Sequence, residues 1–170
     1  MYRINNLNIT KFIYQPLNCF KNMSHRFCTR QFSYTSQNKN TIDIVLSLNG
    51  IPVVAMELKN QLTGQSVNNA KRQFMYDRDE KEFCFRFNNR FLVYFCVDLY
   101  EVAMTTQLQG EKTYFLPFNQ GSNGAGNIGD GGNPKCEDGY ATSYLWEYVL
   151  NPEMLLSIFQ RYISKQTTES

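Results

Sequence analysis

Two apolar runs, residues 42–48 (I-D-I-V-L-S-L) and 51–58 (I-P-V-V-A-M-E-L), are separated only by Asn49-Gly50. Asn-Gly between two β-rich runs is the strongest short-range signal for a hairpin, because both residues accept the positive φ that a tight turn demands. The runs are apolar at nearly every position rather than at alternate ones. That pattern predicts strands covered on both faces, at the centre of a sheet. Pro52 stands near the start of its strand, where a missing N–H is tolerated.

Within or directly after these apolar runs three charged residues are out of place. Asp43 interrupts the first strand near its start, and Glu57 and Lys59 close the second, separated by Leu58 so that both project to one face. Buried charge is costly unless it is paired or bound to metal, so the cluster is either a structural ion pair at a sheet end or a site. Hairpin register separates the geometries. A plain two-residue turn sets Asp43 opposite Met56 and throws Glu57 to the other face. A three-residue loop of Leu48, Asn49 and Gly50, with Gly50 in a left-handed bulge, sets Asp43 opposite Ala55 and makes Glu57 a same-face neighbour. The expectation is an odd-length or bulged turn.

Around the hairpin, Phe27, Arg30, Phe32 and Tyr34 predict an edge-like strand over 26–34. Ser66 is placed to cap a helix running to about Asp77, with Val67, Ala70, Phe74 and Tyr76 on its apolar side. Strands are expected over 91–97 and 101–106 and a short one over 113–118. The Gly- and Asn-rich stretch 119–139 reads as a long flexible loop. Helix then returns, with Tyr144, Leu145, Tyr148 and Val149 on one face, followed by Asn151 capping Pro152 and a helix through Ile163. The expected class is α/β: one domain with a mixed, largely covered central sheet flanked by helices. Residues 1–25 form a basic N-terminal arm or the remnant of a longer region, and 164–170 a frayed tail.

Charge and cysteine usage narrow the functional classes. Residues 1–42 hold Arg3, Lys11, Lys21, Arg26, Arg30 and Lys39 and no acidic residue, which gives +6 there and −4 over the rest of a chain whose net charge is +2. Interleaved with Phe12, Tyr14, Phe20, Phe27 and Tyr34, this stretch reads either as a phosphate-tracking arm or as solvated lysines on a strand pair. Five cysteines (Cys19, Cys28, Cys84, Cys96, Cys136) without a C-x-x-C pair argue against a disulfide framework and a zinc ribbon. Cys19, His25 and Cys28 lack a fourth ligand at a usual zinc spacing. No apolar run approaches the ~20 residues that cross a bilayer, and a cytoplasmic protein is expected. The Gly-rich stretch carries no G-x-x-x-x-G-K-[ST], so it is read as a connection rather than a phosphate cradle.

Asp43, then thirteen residues, then Glu57-Leu58-Lys59, resembles the D…E-x-K core of the PD-(D/E)xK nucleases. The run I-D-I-V-L-S-L-N-G-I-P-V-V-A-M-E-L-K-N, continued by T-G-Q-S-V-N-N-A-K-R-Q-F-M-Y-D-R-D, V-A-M-T-T-Q-L and F-L-P-F-N, is similar to the nuclease segment of the type I restriction enzyme R (HsdR) subunit. The resemblance implies a restriction-endonuclease-like fold over 26–163 and Mg²⁺-dependent hydrolysis of DNA phosphodiesters, with Mn²⁺ as a substitute. It implies Asp43, Glu57 and the Leu58 carbonyl as metal ligands and Lys59 as the group that orients the attacking water or neutralises developing charge. Gln73 matches the glutamine of the Q-x-x-x-Y motif, whose tyrosine position holds Asp77, with Tyr76 one residue early. Ile42 stands where relatives carry proline, and no Asp or Glu precedes Asp43. The partners implied are double-stranded DNA, the methylation and specificity subunits, and ATP-driven motor domains absent from this chain. Two other readings stand beside this one: a non-catalytic DNA-binding or assembly module, and a free-standing nuclease acting on branched or damaged DNA. Lys71, Arg72, Arg78 and Lys81 form either a DNA-facing patch or a solvated helix surface.

Overall fold

The computed structural model describes residues 26–87, 89–136 and 139–162. The basic arm 1–25, with Cys19 and His25, and the tail 164–170 lie outside the described residues. Among the described residues six strands, β1 (Arg26–Ser33), β2 (Thr41–Leu48), β3 (Ile51–Leu58), β4 (Val93–Val97), β5 (Val102–Thr105) and β6 (Leu116–Pro117), make one sheet in chain order. All neighbours are antiparallel except β3 and β4, which run parallel. A parallel pair needs a crossover, and here the crossover contains helix α1 (Val67–Tyr76). This is the mixed α/β architecture expected from the sequence. The strand expected over 113–118 shrinks to β6, where Pro117 can donate nothing to a ladder and so marks an edge.

The β2–β3 hairpin corrects the expected loop. Leu48 pairs with Ile51, so the turn is Asn49-Gly50 alone, with φ of 52° and 78°. Those are the two positive angles of a tight hairpin turn, and Asn and Gly adopt them at the least cost. The extra residue lies further in. Ser47 pairs with Pro52 but Leu46 pairs with Val54, leaving Val53 as a bulge. Pro52 has no N–H to give to the ladder, which makes this the cheapest place to interrupt it. Beyond the bulge Val45 faces Ala55 and Ile44 faces Met56, and one further step sets Asp43 opposite Glu57 rather than Ala55.

Both faces of the central strands are covered, as the unbroken apolar runs require: Val53, Val54, Ala55, Met56 and Glu57 are all buried. On one face Val45, Ala55, Tyr94, Cys96 and Ala103 pack with Val67, Ala70 and Phe74 of α1 and with Phe85, Phe91 and Leu108. Aromatic edges hold this layer together, with Phe74 and Tyr94 ring centres 5.5 Å apart and Tyr34 and Phe85 4.8 Å apart. Ser66 is the N-cap residue of α1, as expected, and its N–H is taken by the Asn69 side chain. A residue from another strand end completes the terminus. Asp98, just after β4, accepts from the Val67 N–H at 2.8 Å and also from the Gln61 side chain and the Tyr100 and Glu101 N–H groups.

The Gly- and Asn-rich segment folds back on itself. Gly121 N donates to Gly132 O and Ser122 N to Asp130 O, while Asn133 bonds the Tyr100 carbonyl and Asn119. The described residues fall into two compact units, one ending at Thr142 and one beginning at Ser143. In the second, residues Leu145–Val149 wind as a π-helical turn, followed by α2 (Pro152–Tyr162) with the Asn151 side chain accepting from Glu153 N. The wider π winding breaks the 3.6-residue repeat, so the expected single apolar face does not form: Leu145 is buried but Tyr148 is exposed. Among the described residues no helix is long and apolar enough to cross a membrane.

Because four donors converge on one buried carboxylate, Asp98→Ala is expected to lower the unfolding free energy by about 3 kcal/mol. A chemical-denaturation midpoint close to that of the parent protein would count against Asp98 as the tie between α1 and β4.

Candidate active site

Strand ends, one helix and one bulge bring the sequence-predicted residues together. Asp43 sits on β2 and Glu57 on the facing end of β3, on the α1 side of the sheet. Asp43 is clamped by two donors: Leu58 N reaches Oδ2 at 2.8 Å and Gln31 Nε2 reaches Oδ1 at 3.0 Å. Lys59, beyond the end of β3, donates from Nζ to Oε1 of Gln73, the seventh residue of α1. Position 73 is therefore not a solvated helix residue; it fixes the lysine head.

Glu57 is fully buried, and its surroundings are unusual for a carboxylate. Oε1 accepts from Arg78 Nη2 at 2.7 Å, while Oε2 has no hydrogen-bond partner among the described residues. Burial, and next the Asp43 carboxylate, push the Glu57 carboxyl up to about 8 from its ordinary 4.5, against the pull of Arg78 and Lys59. Its place in the sequence groups Arg78 with Lys71, Arg72 and Lys81, as a DNA-facing patch or a solvated helix surface. The structure corrects this: it is 4% exposed, with Nη2 also on the Thr41 carbonyl, Nη1 on the Asp77 carbonyl and its guanidinium over the Tyr34 ring. The guanidinium's planar fork and stacking face suit such a place.

Asp43, Gln73, Arg78, Gln31, Lys39 and Tyr76 are among the residues lining an open cleft of about 660 Å³. Tyr76 and Asp77 both line it, so the one-residue displacement of the tyrosine leaves it at the cleft. Sequence reading missed two members. Arg78 carries no local signal, since a charge just after a helix usually faces water; Gln31 carries none either, being one polar residue in an edge-like strand.

The donor set fits a hard cation. Glu57 Oε2 is buried and unpartnered, Asp43 keeps lone pairs beyond its two hydrogen bonds, and the Leu58 carbonyl belongs to the residue between Glu57 and Lys59. Among the described residues no cluster of three or more His, Cys, Asp or Glu could hold a metal. Two carboxylates match Mg²⁺, which keeps several waters, rather than zinc, which wants four protein ligands or three. Cys96, paired with Glu57 across β3 and β4, has its thiol pushed up chiefly by burial, which makes it unreactive.

Comparison with known proteins gives one family. The model of the type I restriction enzyme R protein N terminus matches residues 21–113, more than half of the 170-residue chain and all of the cleft. No curated protein and no solved structure matches the chain.

The raised Glu57 carboxyl has a signed consequence for metal-free protein. Folding favours its protonated form, so this stabilisation is complete below about pH 4.5 and is lost as pH rises through about 8. In chelator, thermal stability should fall as pH rises from about 4.5 to about 8, and Glu57→Gln should flatten that slope. Arg78→Met, which strands the carboxylate, should cost about 3 kcal/mol at pH 9 and less at pH 6, with most of the loss recovered in the Arg78→Met/Glu57→Gln double variant. Equal pH slopes for wild type and Glu57→Gln would place the titration elsewhere.

Proposed function

Because the chain belongs to the family of type I restriction enzyme R protein N termini, we propose that it is the DNA-cleavage module of such an R subunit, hydrolysing phosphodiester bonds with Mg²⁺. The observation that carries this reading is the meeting of Asp43, Glu57, Lys59 and Gln73 at one end of the sheet, with an unpartnered carboxylate oxygen on Glu57. Asp43 and Glu57 would hold the cation, with the Leu58 carbonyl as a further ligand. Bound there, Mg²⁺ supplies charge neutralisation at the scissile phosphate and a water of lowered pKa.

The protein's own groups do the rest. Lys59 presents a compact ammonium whose direction Gln73 fixes, suited to orienting the attacking water and to offsetting charge that develops on phosphorus oxygens. Arg78 holds Glu57 by one oxygen and leaves the other for the cation. Lys39 and Asn40, which also line the cleft, would contact the phosphate backbone on this reading. Double-stranded DNA is the substrate on this reading. Methylation and specificity subunits would choose the site, and motor domains that use ATP would act alongside.

One observation favours a second reading, a non-catalytic DNA-binding or assembly module. The Arg78 guanidinium already pairs with Glu57 Oε1, which offsets part of the buried carboxylate's cost without a metal ion. Metal binding separates the two. Wild-type protein should bind Mn²⁺ in calorimetric titration, Glu57→Ala and Asp43→Ala should lose that binding, and Lys59→Ala should keep it while cleaving duplex DNA at least about a hundredfold more slowly. Wild type and Glu57→Ala binding Mn²⁺ alike would end the catalytic reading.

A further inference from the structure

Gln31 combines three features that an ordinary strand residue lacks. Its φ is 51°, a left-handed value that a side chain with a Cβ adopts at a cost and that persists only where the surroundings demand it. It lies in β1 between the Arg30–Ile44 and Phe32–Ile42 pairs, opposite Asp43. It also lines the cleft. Glycine would carry this backbone angle without strain, so the side chain is what the position needs. Thr41 Oγ1 donates to Gln31 Oε1 at 2.7 Å, which fixes the amide so that Nε2 is the atom left to face Asp43, and Nε2 donates to Asp43 Oδ1 at 3.0 Å. Leu58 N holds the other carboxylate oxygen. Gln31 is exposed and belongs to no core cluster, so its contacts serve Asp43 rather than packing.

We propose that Gln31 is a positioning residue for the cation site, with Thr41 setting its amide, and that together they hold the Asp43 carboxylate in the orientation a divalent metal requires; this rests on the nuclease reading above. Thr41 also gives its carbonyl to Arg78, which holds Glu57. One residue at the start of β2 thus reaches both carboxylates, through Gln31 on one side and Arg78 on the other. Partners that orient a metal ligand are worth about 10–100-fold in metal affinity.

Mn²⁺ affinity of the full chain without DNA, followed by the loss of the free-ion resonance signal, tests the proposal alongside melting temperature in chelator. Gln31→Gly removes the amide and relieves the backbone, so it should melt close to wild type without metal while binding Mn²⁺ at least about tenfold more weakly. Its metal-induced rise in melting temperature should shrink accordingly. Thr41→Val, which keeps the carbonyl for Arg78 and removes only the hydroxyl, should weaken binding in the same direction by a smaller factor. If Gln31→Gly binds Mn²⁺ as wild type does while Glu57→Gln does not bind, the positioning role is wrong and the nuclease reading stands. If Gln31→Gly fails to fold, unchanged affinity in Thr41→Val overturns the proposal. Glu57→Gln binding Mn²⁺ as tightly as wild type would overturn the nuclease reading itself.

Discussion

Everything at the cleft depends on one unpaired residue in β3. Side chains alternate faces along a strand, so a register shift of one residue exchanges the two faces of the sheet. With the Asn49-Gly50 turn and no bulge, Asp43 would face Met56, and Glu57 and Lys59 would point away from α1 and Gln73. Val53 takes up the extra residue, and from there to the end of the strand the facing pairs are Val45 with Ala55, Ile44 with Met56 and, one step on, Asp43 with Glu57. Pro52 supports this arrangement by having no N–H to leave unsatisfied. The bulge is a local irregularity whose effect is felt four to six residues away, at the end of the strand where the charges lie.

The charges that the bulge brings together are held in a mostly apolar layer, and each is supported by a different device. Asp43 has two donors, Lys59 has Gln73, and Glu57 has Arg78 on one oxygen only. This asymmetry sets Glu57 apart from a structural ion pair: one of its oxygens is unpartnered among the described residues, beside a second carboxylate, and on the proposed reading that is where a cation would bind. Arg78 limits the cost of keeping Glu57 there and does not remove it, which is why burial and Asp43 still raise the carboxyl. The same layer's aromatic contacts and the Asp98 tie anchor α1 against β4, so Gln73 approaches Lys59 from a helix fixed at its N-terminal end.

Much of this was legible from the chain itself, because the signals were local. The strands of the hairpin, the helix beginning after Ser66 and the Asn151–Pro152 helix start all follow from spacing and from the φ preferences of a few residues. The grouping of Asp43, Glu57 and Lys59 as a site came from charges breaking an apolar pattern, and Gln73 came from resemblance. What failed was counting across the turn. An extra residue was expected in the loop and was found in the strand, since the positive φ values of Asn49 and Gly50 already satisfy a two-residue turn and nothing in the turn's own sequence reveals an interruption three residues on.

Gln31 and Arg78 were illegible for a related reason. Each has meaning only through a partner far along the chain: Gln31 through Asp43 twelve residues later, Arg78 through Glu57 twenty-one residues before. The sequence by itself determined the strands, the helix that crosses between β3 and β4, and which residues bear charge inside apolar runs, because hydrophobic period and backbone preference act over a few residues. Only the tertiary structure decided which of those charges meet, which oxygen of Glu57 is left without a partner, and that a glutamine on an edge strand bends its backbone to reach an aspartate, because register and burial are set by pairing between segments.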